Sequence, residues 1–362
     1  MTAPTPRSLI APTANPTLER ALRDKLARRA PVTGSLGELE PVAVRIGLMQ
    51  NTLKPRFRDP QLLLFAADHG LAVDGIGVDT HRSTAELASQ ALTTRLPIAV
   101  FARIMGMTLT VVDAGVAELM APHPRLLPRK IAHGTRNART AAAMSVEQAH
   151  AAIRAGMEIG DALTGNMRAC AGIGLGSNES AALVISRLTD APIRELAVAR
   201  TNTPQDQVAK LMVVLQGAQG RHRDVTDPVE VLAAFGGFEI AMMVGLMLVA
   251  ASKRHMIMVD GLPACAALMV AMRISQPVSD YCVFCRSASH QGLDTALGLL
   301  RTSALLELGM ESIDGTGSTL AWPLVASAAA LLTEVAEGED PGPSQPSAMP
   351  DDEPPTLTDT KP

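Results

Sequence analysis

Residues 61–70 read QLLLFAADHG, a polar residue followed by six apolar ones and then Asp68, His69 and Gly70. An apolar run this short, closed by a turn, is the signature of a buried strand. A buried helix would need ten or more residues. Working outward, TLTVVDAG from Thr108, HMIMVDG from His255 and SDYCVF from Ser279 have the same form. Three of the four close on Asp with Gly next or next but one. Long helical patterns lie between them, among them STAELASQALTTRLPIAVFARIMG (83–106) and GFEIAMMVGLMLVAASKR (237–254). Strands alternating with helices predict an α/β fold, a parallel sheet with helices on both faces. Ligands of such sheets collect at the carboxyl ends of the strands, where the Asp-Gly turns sit.

Composition describes the core. The chain has 362 residues, of which 47% are hydrophobic and only 2% aromatic, with 18 Met. The packing is therefore aliphatic and largely helical. Nucleic-acid binding, which favours basic stripes and stacking aromatics, is not indicated. From Glu337 onward seven acids face Lys361 alone, so this Pro-rich segment accounts for more than the whole formal charge of -4. It reads as a disordered acidic tail (337–362), and what precedes it is close to neutral. The start, MTAPTPRSLIAPTANP, has no apolar stretch of signal-peptide length. IAMMVGLMLVAAS from Ile240 suits a core helix better than a membrane span. With four Cys in so long a chain, a cytoplasmic setting without a disulfide framework is expected.

Cys282 and Cys285 form a C-x-x-C with His290 nearby, half of what a zinc site would need. Cys170 and Cys265 stand singly and far off, so the pair reads as ordinary buried residues and no metal is expected. Residues 15–57 are charged and helical in pattern, with a break over 30–37, and the stretch after Gly317 is again helical. The division expected is a flexible start (1–14), a small helical domain from both ends (15–57 and 302–336) and a large α/β domain (58–301).

Several motifs admit both a structural and a chemical reading. GIGLGSNESAALVISRL, with Gly174, Gly176, Ser177 and Asn178, opens a helix after a glycine turn, and so does IDGTGSTLAWPLV, with Asp314, Gly315 and Gly317. Amides converging at a helix start suit an anion, yet a glycine turn with a Ser cap is also plain architecture. Neither matches the Walker pattern. FAADHG places Asp68 and His69 at a strand end, as a turn cap or as site residues. Glu239, after Gly236 and Gly237, is stabilised by the helix dipole whether or not it has a function.

In the order APVTGSLGELE, FAADHG, VVDAGV, GIGLGSNESAA, DPVEVLAAFGGFEIAMMVG, MVDG and LLELGMESIDGTGSTLAWPLV, these segments resemble the nicotinate-nucleotide–dimethylbenzimidazole phosphoribosyltransferases. The resemblance covers about 15–336, and DPVEVLAAFGGFEIA is its most specific part. It implies a Rossmann-like parallel sheet with a small helical domain formed from N- and C-terminal segments, a homodimer, and no cofactor. The implied reaction moves phosphoribose from nicotinate mononucleotide to 5,6-dimethylbenzimidazole, giving α-ribazole 5'-phosphate and nicotinate in cobalamin biosynthesis. No nucleic-acid or membrane partner is implied.

The resemblance also assigns residues. Asp314 stands where the family's GEGTG has its Glu, the general base, and Ile313 replaces a glycine there. Gly174, Gly176, Ser177, Asn178, Gly315, Gly317 and Lys210 are expected to hold the phosphoribose, Lys210 lying one place from the position of a family lysine, taken here by Leu211. His69, Asp79 and Glu86 are expected at the base. Several pocket letters differ from the family pattern: Gly172 for Glu, Glu179 for Thr, Gly77 for Ser, Asp79 for Tyr, Glu86 for Gln and His290 for Glu. A carboxylate at Glu179 would repel a phosphate if it pointed at it. These departures leave three readings: a transferase with a different acceptor base, a catalytically weak paralogue that binds a nucleotide or partners another enzyme, and an NAD-dependent dehydrogenase. The last lacks a clean fingerprint with an acid about 20 residues on.

Overall fold

The structure, a computed structural model, describes residues 9–76, 82–197 and 204–336. Asp79, residues 1–8 and the acidic tail lie outside the described residues. The strands are β1 (Gln61–Ala67), β2 (Thr108–Gly115), β3 (Leu126–Pro128), β4 (Met167–Ile173), β5 (Met256–Asp260) and β6 (Cys282–Cys285). All pairs are parallel, in the order β3-β2-β1-β4-β5-β6. This is the Rossmann-like α/β architecture expected from sequence. The strand order reverses between β1 and β4, and a crevice opens there beyond the strand ends.

Why these segments become strands is clear from their burial. Every residue of β1, β4, β5 and β6 is buried, as strands covered on both faces must be. Neighbouring residues on a strand face opposite sides. Helix Phe238–Ser252 packs on Val146–Ala162 and Leu262–Ile274 on one side of the sheet. On the other, Thr316–Thr333 packs with Leu39–Met49, Pro97–Ile104 and the two last strands. Helices from the two ends of the chain thus meet, and the Arg29 guanidinium donates to the Val335 carbonyl at 2.7 Å. Helix Thr316–Thr333 has the length and apolarity of a membrane span, but 61% of it is buried in this fold.

The structure revises three sequence expectations. SDYCVF is a strand only from Cys282, because residues 276–281 form a 3-10 turn opened by Gln276 and Pro277. The pattern over 83–106 splits into Thr84–Leu92 and Pro97–Ile104, with Thr94 at φ +61° and Pro97 starting the second helix. Two strands, β3 and β4, were not among the expected runs. β4 contains Arg168, whose charge breaks the apolar pattern although its side chain is fully buried. Its guanidinium donates to the carbonyls of Leu163, which caps helix Val146–Ala162, of Gly165 in the loop after it, and of Met167 at the start of β4. All four cysteines are free and buried, with Cys170 pushed up to about 12 by burial, so they act as apolar residues.

Candidate active site

Two clusters occupy the carboxyl edge of the sheet. The first is built where β4 leaves the sheet beside β1. A Cβ on Gly174 would lie 1.6 Å from the Ala67 carbonyl oxygen, so the two strand exits touch backbone to backbone. Gly176 has φ +84° and starts helix Ser177–Thr189. Behind the turn, the His69 Nε2 and the Ser177 hydroxyl both bond Glu239 Oε1, each at 2.8 Å. Glu239 is wholly buried, and its Oε2 has no hydrogen-bond partner among the described residues. Burial alone would lower the His69 pKa, but the charge and hydrogen bond of Glu239 outweigh it and raise the value. The group is a buried hydrogen-bonded His–Glu pair, an ion pair whenever His69 is protonated.

Glu179, in the first turn of the same helix, is also buried, and burial raises its pKa. The shift favours the neutral acid and so reduces the repulsion a charged side chain would exert on a phosphate at this turn. The Ser177 hydroxyl is engaged by Glu239, and the Leu175 and Ser177 amides donate to the Thr84 hydroxyl and the Gly174 carbonyl, so an anion here would meet the turn's remaining amides. The Asn178 side chain makes no hydrogen bond among the described residues. Lys210 reaches the same edge from helix Gln205–Arg221: a Cβ on Gly75 would lie 2.7 Å from its Nζ, three residues from Ala72, which packs on Gly176.

The second cluster lies at the end of β5. The Asp260 carboxylate accepts the Ser287 hydroxyl at 2.9 Å and the Ser318 amide at 2.8 Å. Gly317 donates its amide to the Ser287 hydroxyl at 2.7 Å. The first amides of helix Thr316–Thr333 therefore serve Asp260 and Ser287, and Gly317 is not free to hold a phosphate by its N–H. Asp314 sits one residue before Gly315, which has φ +94°. A Cβ on Gly261, itself at φ +91°, would lie 2.0 Å from Asp314 Oδ2, so glycine alone leaves room for the acid. Asp314 is enclosed by protein yet still reached by solvent. Burial, and then the charge of Asp260, push its pKa well above the usual carboxylate range. Asp260 is raised as well, by burial working against its hydrogen bonds.

β4 separates the clusters. Ala171 is beside the Asp314 turn, at Gly315, while Gly172 is beside Glu239 on the opposite face. A cleft of about 430 Å³ at this edge is lined by Asp68, His69, Ser83, Ala117, His133 and Leu175. A neighbouring cleft, also about 430 Å³, is lined by Glu86, Ser89, Leu119, Met120, Pro122 and His123. Glu86 doubles as a helix cap, its carboxylate accepting the Ser83 amide at 3.0 Å. His290 caps helix Gln291–Leu299 through Nδ1, and burial with the Arg286 charge lowers it to about 4, so it is neutral at physiological pH. No group of three or more metal-binding side chains occurs among the described residues.

Sequence reasoning left out Asp260 and Glu239 as site residues. Asp260 had a signal, the strand-end MVDG. Glu239 had another, two glycines two and three places before an acid in an otherwise apolar helix.

A profile described as "Phosphoribosyltransferase" matches residues 11–342. A nicotinate-nucleotide–dimethylbenzimidazole phosphoribosyltransferase of Cupriavidus taiwanensis is 41% identical over 326 residues, 89% of this chain and 92% of its own. That of a Janthinobacterium species is 36% identical over 94% of this chain and 99% of its own. The chain belongs to this family. A solved nicotinate-nucleotide–dimethylbenzimidazole phosphoribosyltransferase from Thermus thermophilus superposes with a TM-score of 0.80 at 27% identity, covering 88% of this chain and 96% of its own. The molecule is thus a phosphoribosyltransferase, an enzyme of small-molecule substrates. Like other members, it is a pentosyl-transferring α/β protein.

Proposed function

We propose that this phosphoribosyltransferase moves phosphoribose from nicotinate mononucleotide to 5,6-dimethylbenzimidazole or a related base, forming α-ribazole 5'-phosphate and nicotinate, and works as a homodimer. The observation that carries the chemistry is Asp314, an acid at the carboxyl edge of the sheet whose pKa is raised well above the usual carboxylate range by burial and the nearby Asp260 charge. A general base acts best when its pKa lies near the working pH.

The steps balance without further reactants. One ring nitrogen of the benzimidazole attacks the anomeric carbon as the bond to the pyridinium nitrogen breaks. That bond's electron pair neutralises the ring, and nicotinate leaves. The proton on the benzimidazole's other nitrogen passes to Asp314. The amides of the 174–178 turn other than those of Leu175 and Ser177, with Lys210 at the rim, would hold the phosphate and orient the ribose. The acceptor belongs beside His69 and Glu86, where the two clefts lie; the raised proton affinity of Glu179 weakens its opposition to an anion at the turn.

The test is incubation with nicotinate mononucleotide and a panel of bases, with products separated by chromatography. A nucleotide product is expected, and Asp314→Asn lowers kcat by about 10²–10⁴ with KM nearly unchanged. A folded enzyme that yields no product with any base would sink the proposal.

A further inference from the structure

The scheme above gives no role to Asp68, although three segments of the cleft meet on it. Asp68 follows β1 directly and lines the cleft of about 430 Å³. Its Oδ1 accepts the Thr84 hydroxyl at 2.5 Å, and its Oδ2 accepts the Ala117 amide at 2.7 Å. Its own amide donates to the Gly115 carbonyl, and its carbonyl accepts the Thr135 amide, each at 3.0 Å. The Thr84 hydroxyl in turn accepts the Leu175 amide at 3.1 Å.

The direction of this relay is set by chemistry. An amide can only donate, and a hydroxyl has one proton. With the Leu175 N–H donating into it, the Thr84 hydroxyl turns its proton to Asp68. Thr84 is 1% exposed, so water competes little for these bonds. The bond that ends on a carboxylate is of the stronger, charge-assisted kind. The Leu175 peptide is held from its other side too, its carbonyl accepting the His69 amide at 3.0 Å.

Leu175 stands between Gly174 and Gly176, so its neighbours have no side chains to fix the peptide planes of the turn. Their orientation depends on bonds such as these. Thr84 opens the helix that carries Glu86. One hydroxyl therefore joins the nucleotide side of the cleft to the acceptor side.

We propose that Asp68 and Thr84 are positioning residues that lock the phosphate turn to the acceptor-side helix, so that neither substrate site is set independently of the other. This rests on the reaction assigned above. Losing the lock lets the turn shift, and a misplacement of ~1 Å costs on the order of a hundredfold in rate.

The experiment compares Thr84→Val and Thr84→Ser, varying each substrate in turn. Valine keeps the shape and strands the Leu175 amide and the Asp68 oxygen. It is expected to raise the KM for nicotinate mononucleotide about tenfold, and that for dimethylbenzimidazole along with it. Thr84→Ser, which keeps the hydroxyl, is expected to bring both back to within about threefold of wild type. A folded Thr84→Val with an unaltered nucleotide KM, or a serine variant that does not recover, overturns the lock. A second measurement uses the wild-type chain alone: adding dimethylbenzimidazole is expected to slow amide hydrogen exchange in the peptide holding residues 174–178. An unaltered exchange rate also overturns it. Absence of product from the wild-type enzyme would remove the reaction assignment instead, and the exchange measurement would still decide the lock.

Discussion

Glu239 and Asp314 are both acids enclosed at one edge of one sheet, yet they have opposite kinds of neighbour. Glu239 faces His69 and the Ser177 hydroxyl, so its charge is matched and its position is held from two sides. Asp314 faces Asp260, whose own oxygens are occupied by Ser287 and Ser318. A matched buried charge keeps a scaffold in shape, while an acid beside a like charge is ready to take up a proton. The His69–Glu239 cluster is thus built for rigidity, while the Asp260–Asp314 cluster at the end of β5 has the environment that the proposed proton transfer requires.

The largest effect expected from this contrast is on stability. Glu239→Ala leaves His69 buried without its counter-charge, and removing one partner of a buried pair costs about 3–5 kcal/mol. Urea unfolding measures it, and a loss below about 1 kcal/mol would mean the pair is not a scaffold. The pH dependence sharpens the point. His69 is raised above its ordinary value of 6.5, so its contribution is complete below that pH. It is lost as pH rises through the raised folded value. Glu239→Gln should flatten the fall in stability above neutral pH.

Next comes a test of the space around Asp314. Gly261→Ala would put a methyl 2.0 Å from Asp314 Oδ2 and force a side chain into φ +91°. A displacement of ~1 Å predicts a kcat loss of roughly a hundredfold, read against a thermal melt. Wild-type turnover in this variant would show that Asp314 does not need its present position.

The smallest effect has the opposite sign. Asp314 is raised, so the folded state holds a proton that the unfolded chain releases. Stability from this group is therefore fullest below its ordinary value of 3.8 and declines as pH rises through the raised folded value. Asp314→Asn, which cannot titrate, should raise Tm by roughly 2 °C at pH 8 and less at pH 5. A fall at both pH values would place Asp314 among the residues that hold the fold together.

Much of the fold was legible because hydrophobic periodicity is local. β1, β2 and β5 could be read from short apolar runs closing on Asp. β4 could not, because Arg168 is charged in the sequence but has its terminal guanidinium nitrogens bonded to backbone carbonyls in the fold. β3, with three residues, is too short to carry a period. At the site, the two glycine turns and Asp314 stood out, but the sequence could not show that the Gly317 amide is already engaged.

What the order of residues determined by itself was the alternation of strands and helices, the family, and the placement of acids at strand ends, since each depends on neighbours a few positions apart. Only the tertiary structure decided which acids are matched and which are crowded. His69 meets Glu239 across 170 positions, and Asp260 accepts from Ser318 across 58. Proton affinity depends on distance in space and on burial, and neither is a property of a short stretch of chain.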